Sequence, residues 1–247
     1  MSEDVPRPPV GIAHAYGNRR ASIEEALAAG VELIEADVWH RAGELWVRHE
    51  RRLGPIPLLY DRRSIGVRRI GPWALPFVLR FYLRLDMRPL TLRELLQRTQ
   101  DRCRVLVDVK GRYSQVDREA YARRLVQLAG DGDGDVAVCG QNWALLDEVR
   151  TQAPRLEVRY SVERPWQWQE LLRRLDAGQG ITAICIERRF LDAEKVDLLR
   201  EKGVSIYCWT VDSRPEAGRL LGQGVDGIIS NDLWLLASLA GLGRVGR

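Results

Sequence analysis

Eight short runs of β-branched and apolar residues alternate with longer amphipathic segments along the chain. That alternation constrains the fold more than any other feature. The strand candidates of the first half are VGIAH (10–14), VELIEADV (31–38), CRVLVDVK (103–110) and DVAVCG (135–140). The second half adds LEVRYSV (156–162), ITAICIE (181–187), VSIYCWTV (204–211) and VDGIIS (225–230). Between them lie helical patterns such as SIEEALAAG, TLRELLQRT, REAYARRLVQLAG and DAEKVDLLREKG, several closed by glycine, with Ser22, Thr91 and Asp192 as N-caps. Parallel strands need a crossover connection, so strict strand–helix alternation implies a parallel sheet. Eight units predict an α/β fold closed as a (β/α)8 TIM-type barrel, with a doubly wound open sheet as the alternative. A chain of 247 residues fits one such barrel over 1–247. GELWVRHE reads as a short extra strand returning from the second one, and the stretch at about 50–90 as an irregular insert after it.

The second strand carries two acids among apolar residues. Successive residues of a strand face opposite sides, so Leu33, Glu35 and Asp37 share the barrel-facing side while Ile34, Ala36 and Val38 face the helices. Two carboxylates pointing inward repel one another and cost several kcal/mol each to desolvate. They become tolerable at the C-terminal rim, where barrels of this kind build their active sites, with a divalent cation between them. Asp108 and Lys110 stand at the matching end of the next strand, again two apart on one face. Three carboxylates offering only oxygen favour Mg²⁺ or Ca²⁺ over zinc. The chain holds three histidines. His14 ends the first strand and His49 ends the extra strand, while His40 reads as a turn residue just past the second strand. A cation and Lys110 to neutralise phosphate charge, with His14 and His49 to handle protons, form a kit for phosphoester cleavage.

Composition narrows the alternatives. With 45% hydrophobic and 29% charged residues the chain reads as an ordinary globular protein rather than a disordered one. Residues 1–10 lack the pattern of a signal peptide. PWALPFVLRFYLRL is too short for a membrane span and is interrupted by Arg80 and Arg84. Cys103, Cys139, Cys185 and Cys208 lie far apart and read as small core residues, which fits a reducing cytoplasm. Residues 51–88 hold nine arginines, no lysine and two aspartates, whereas the whole chain is only +4, so basicity belongs to this one segment. Its mixture of Trp73, Phe77, Phe81 and Tyr82 with flanking arginines suits peripheral contact with an anionic membrane or the grip of a lipid tail. A nucleic-acid partner has no other support in the sequence.

Taken in order, IAH, EADV, GELWVRHE, VDVK, YCWTVDS and GVDGIISND resemble the glycerophosphodiester phosphodiesterases, from about residue 10 to 235 and most weakly at 50–90. The resemblance implies a (β/α)8 barrel that hydrolyses glycerophosphodiesters, or lysophospholipids if the insert admits an acyl chain. It implies Glu35, Asp37 and Asp108 as ligands of a divalent metal, His14 and His49 as the acid–base pair, Lys110 as a phosphate contact and Trp209 as a wall of the substrate pocket. Two departures stand out. Asp108 replaces the family's usual glutamate. Ala15 replaces the arginine that follows the first histidine in the family, while an arginine appears nearby at Arg20, so Arg20 (or its neighbour Arg19) is the candidate to take over the phosphate contact. The contrasting reading, supported by Ala15 and the basic insert, is a barrel that has lost catalysis and binds phospholipid at a membrane surface.

Overall fold

The computed structural model describes residues 9–49, 58–60, 74–78, 81–84, 90–130 and 134–242. In chain order its strands are β1 (Val10–Ala13), β2 (Leu33–Arg41), β3 (Glu44–Val47), β4 (Leu58–Tyr60), β5 (Ala74–Val78), β6 (Phe81–Arg84) and β7 (Leu90–Thr91). They continue as β8 (Arg104–Val109), β9 (Val136–Gly140), β10 (Glu157–Val162), β11 (Ala183–Glu187), β12 (Ser205–Trp209) and β13 (Gly227–Ser230). The helices are α1 (Arg20–Ala28), α2 (Leu92–Thr99), α3 (Gln115–Ala129), α4 (Trp143–Gln152), α5 (Pro165–Asp176), α6 (Ala193–Glu201), α7 (Arg214–Gly222) and α8 (Leu233–Leu242).

Among the described residues, eight parallel strands run in the order β1, β13, β12, β11, β10, β9, β8, β2, and β1 also pairs with β2. That last pairing closes the sheet into a (β/α)8 barrel and excludes the open doubly wound alternative. The eight strand candidates coincide with the eight barrel strands to within a few residues at their ends. Period-2 alternation builds two separate cores. Ile34, Ala36 and Val38 of β2 belong to the large layer between sheet and helices. Leu33 joins Ile12, Leu106, Cys139, Cys185 and Tyr207 inside the barrel. All four cysteines are free thiols.

The lower half of the barrel interior is charged as well as apolar. Arg159 of β10 is fully buried, with its guanidinium carbon 3.5 Å from the centre of the Tyr207 ring and its Nε donating to Glu157 Oε1 at 2.7 Å. Arg104 reaches the other oxygen of Glu157 at 3.1 Å. Glu157 and Arg104 stand at the N-terminal ends of their strands, so this network lies at the end of the barrel away from the rim acids.

Two local expectations change. Thr91 and Asp192 cap α2 and α6 through their side chains. Ser22, however, is the third residue of α1 and is buried; its hydroxyl accepts from Arg19, and the helix begins at Arg20 without a side-chain cap. His40 is not a turn residue. β2 runs beyond the barrel rim to Arg41 and pairs antiparallel with β3, His40 opposite Leu45. The turn falls instead on Ala42 and Gly43, whose φ values of 51° and 76° suit a two-residue hairpin. The basic, aromatic segment 51–88 lies largely outside the described residues, which include there only β4, β5 and β6.

Candidate active site

Register brings the rim residues together. In the pairing of β2 with β8, Asp37 stands opposite Asp108 and Glu35 opposite Leu106. Ala13 of β1 pairs with Ile34, so His14, the next residue, continues beside Glu35. Carboxylate oxygens of Glu35, Asp37 and Asp108 all lie within 4.8 Å of one another, close enough to share one ion. Glu35 and Asp37 are only 3% and 2% exposed. Lys110 Nζ is 2.8 Å from Asp37 Oδ1 and also pairs with Asp108. Three ionised acids and one lysine leave an excess of negative charge that a divalent cation would balance. An oxygen-only donor set of this kind fits a divalent ion.

The acids do not share this burden equally. Burial first, then the neighbouring Asp37 and Asp108, push the Glu35 carboxyl well above its ordinary range. Burial pushes Asp108 up to about 6, with Lys110 partly opposing and Asp37 adding to the rise. Burial acts on Asp37 in the same direction, but Lys110, His49 and the Asn18 amide together hold it below its usual value. For Lys110 burial favours the neutral amine, yet Asp108, Asp37 and Glu35 outweigh it and keep the ammonium charged far above neutral pH.

Short loops hold these groups in place. Asn18 donates Nδ2 to Asp37 Oδ2 at 2.6 Å and accepts the Asp37 backbone N–H at 2.9 Å, so one amide fixes both ends of that residue. Asn18 reaches Asp37 because its turn packs directly on β2. A Cβ added at Gly17 would stand 2.5 Å from the Cβ of Ala36, so only glycine permits the approach. Ala15 adopts a left-handed conformation, φ 60°, and its N–H donates to Glu35. The Tyr113 hydroxyl donates to the Lys110 carbonyl at 2.8 Å and accepts the His40 N–H at 3.0 Å, tying the lysine loop to the β2 extension.

His14 Nδ1 stands 2.9 Å from Asn231 Oδ1. The Asn231 amide is itself oriented: Nδ2 donates to Asp212 Oδ2 at 2.8 Å, and the Asn231 backbone N–H donates to Asp212 Oδ1 at 2.7 Å. With Oδ1 turned to the imidazole, Nδ1 must carry the hydrogen, and a neutral His14 keeps its lone pair on Nε2. Burial lowers the His14 pKa, which favours that neutral form. His49 follows β3, where the Arg48 backbone N–H donates to the Asp37 carbonyl at 2.8 Å. Its charge is felt by Asp37, Asp108 and His14, which puts its imidazole in the same cluster.

The two remaining candidates make other contacts. Trp209 ends β12 and is half-buried against the barrel-interior cluster. Arg20 opens α1, and its Nε and a terminal nitrogen each lie 2.6 Å from the carboxylate of Glu94 on α2, so a phosphate would have to compete with Glu94 for that fork. Sequence reasoning passed over Asn18, Asn231, Asp212 and Tyr113. Asn231 carried a usable signal, since it follows the eighth strand at the position His14 holds after the first.

Solved structures share the fold. A phosphodiesterase from Oleispira antarctica in complex with sn-glycerol-3-phosphate superposes with a TM-score of 0.68 at 18% identity, over 95% of this chain and 97% of that one. A glycerophosphodiester phosphodiesterase from Thermotoga maritima gives 0.67 at 18% identity over 94% and 98%. One from Parabacteroides distasonis gives 0.64 at 20% identity over 97% and 98%. Comparison with curated protein sequences returns no match. At the level of family, residues 17–234 match the glycerophosphoryl diester phosphodiesterases, and with the strand-end acids, Lys110 and His49 inside that match, the chain belongs to the glycerophosphoryl diester phosphodiesterase family.

Proposed function

We propose that this phosphodiesterase cleaves glycerophosphodiesters by acid–base catalysis between His14 and His49, beside a Mg²⁺ or Ca²⁺ ion held by Glu35, Asp37 and Asp108. The reading is carried by one observation: two buried carboxylates and a half-buried third, a lysine and two imidazoles meet at the C-terminal rim of adjacent strands. When bound, the cation supplies charge neutralisation at a non-bridging phosphate oxygen and acidifies the attacking hydroxyl. His14 is the base. Its Nε2 lone pair takes the proton of the attacking hydroxyl, either water or a hydroxyl of the substrate glycerol, while Asn231 and Asp212 steady the imidazole. His49 is the acid and protonates the departing alkoxide. Lys110 faces the phosphate with a fixed positive charge. Arg20 reinforces it only by exchanging Glu94 for phosphate, and Trp209 lines the pocket. Water attack yields glycerol phosphate and an alcohol; glycerol attack yields a cyclic phosphate and an alcohol. The bound product of the Oleispira antarctica relative, sn-glycerol-3-phosphate, supports the glycerol half of the substrate.

Lysophospholipids extend the same reading if residues 51–88 admit an acyl chain, and their arginines favour an anionic membrane as the source of such substrates. The test is product release from glycerophosphocholine, glycerophosphoglycerol and a lysophospholipid with Mg²⁺, Ca²⁺ or EDTA, beside His14→Ala and His49→Ala. Metal-dependent turnover lost in both variants supports the mechanism. Folded protein that turns over none of the three, yet binds phospholipid vesicles, favours a silent lipid-binding barrel.

A further inference from the structure

Three large apolar side chains stand clear of the surface among the described residues: Val116 at 74% exposure, Trp166 at 56% and Trp234 at 79%. Isolated exposed apolar residues need no explanation in themselves. Their placement does. Each is the second residue of its helix, Val116 in α3, Trp166 in α5 and Trp234 in α8. In this barrel every helix begins where the preceding strand ends, so all three stand on the face that carries the acids and histidines. They follow the third, fifth and eighth barrel strands and are therefore spread around the mouth rather than gathered on one side of it.

The connecting loops at the two ends differ in charge in the same sense. The connections from β1, β8, β9, β10, β11, β12 and β13 into their helices, counted through the first helical residue, hold eight Lys and Arg against four Asp and Glu. Among the described residues, the connections at the opposite end hold three against four. Arg112, Arg164 and Arg189 are exposed on the mouth side close to the apolar anchors or between them.

We infer that the mouth of the barrel docks on an anionic lipid surface, with Val116, Trp166 and Trp234 entering the headgroup layer as three separate anchors. A protein partner covers a contiguous patch with its anchors near the centre. Anchors set apart around a polar ring fit a flat, fluid surface instead. Indole is the side chain that prefers the boundary between headgroups and acyl chains, and arginines beside it add attraction to anionic lipid. This surface is independent of the chemistry assigned to the histidines. It also differs from contact through residues 51–88, because its anchors are on the barrel itself.

Flotation of the full chain with unilamellar vesicles of phosphatidylcholine, with and without 30 mol% phosphatidylglycerol (roughly the charge density at which surface attraction is strong), reads the proposal directly. Binding is expected only to the anionic vesicles, and to fall at high salt. Trp166→Ser with Trp234→Ser should weaken it by about tenfold or more, while turnover of water-soluble glycerophosphocholine stays unchanged. In the unsubstituted protein, phospholipid brominated near the headgroup should quench tryptophan fluorescence, a readout that needs no variant. Absence of binding to either vesicle overturns the inference. Undiminished binding by the double variant does so too, placing the contact elsewhere on the chain. A lipid-free dimer dissolved by the same substitutions would make a second copy of this chain the occupant and overturn it likewise.

Discussion

Asn231 stands 2.9 Å from His14, and Asp212 fixes which end of its amide faces the imidazole. A side chain from the eighth strand's end thereby sets the tautomer of a histidine at the first strand's end, 217 residues earlier in sequence. Replacing Asn231 with Leu should lower kcat by about 10²-fold, within the range that a positioned general base supplies. KM should change little, because no substrate contact is removed. Asp212→Asn should have a smaller effect of the same kind, since the freed amide can flip. A loss confined to KM, measured by steady-state kinetics, would rule out the positioning role.

Lys110 is the ammonium that compensates the three carboxylates. Lys110→Met should destabilise the metal-free protein by about 2–3 kcal/mol, below the usual range for a broken buried pair because the lysine is partly exposed. A saturating divalent cation should return much of that loss by binding the folded state alone. Chemical denaturation with EDTA and with Mg²⁺ or Ca²⁺ tests both halves. A variant as stable as the parent without metal would show that the acids are neutral at rest.

The acids also set a pH dependence. Asp108 titrates at about 6 in the folded chain, and Glu35 is raised as well, so both bind protons more readily folded than unfolded. The Asp108 contribution is favourable in acid and is lost as pH rises through about 6, and that of Glu35 runs in the same direction. Metal-free protein should therefore unfold at a higher temperature at pH 5 than these acids alone would permit at pH 7.5. Asp37, held below its usual value, acts oppositely but only at lower pH. A cation needs all three carboxylates ionised. Its stabilisation should accordingly be larger at pH 7.5 than at pH 5, as read by thermal scans with and without metal. Equal shifts at the two values would contradict the raised Asp108.

Glu157 is the anion shared by Arg104 and Arg159. Glu157→Gln strands two cations, one of them fully buried, and should cost about 3 kcal/mol or more. Arg159→Met leaves Glu157 its bond to Arg104 and removes a guanidinium with one buried nitrogen, Nη1, that has no hydrogen-bond partner among the described residues. It should cost clearly less. Urea denaturation of the two variants orders them, and a reversed order would mean that the stack of Arg159 on Tyr207 outweighs the ion pair.

The barrel was legible because parallel strands buried on both faces read as continuous apolar runs, and eight of them leave few topologies. The acids and Lys110 were legible for the opposite reason, polar residues at strand ends where the pattern calls for apolar ones. Asn18, Asn231 and Asp212 were not, because loop asparagines and aspartates are common for turn chemistry alone. Arg159 was hidden inside LEVRYSV, where an arginine reads as the exposed half of an alternation; only barrel closure turns that side inward. What the sequence does not show at Arg20 is its partner: Glu94, 74 residues on, accepts from two of its nitrogens, a pairing that only the packing of α1 against α2 brings about.

The stack of Arg159 on Tyr207, braced by Glu157 and Arg104, also fills the far end of the barrel with side chains. It leaves the described barrel with one usable doorway. Whatever enters toward Glu35 and Asp37 has no passage out below, so both halves of a cleaved diester depart by the route the intact molecule used.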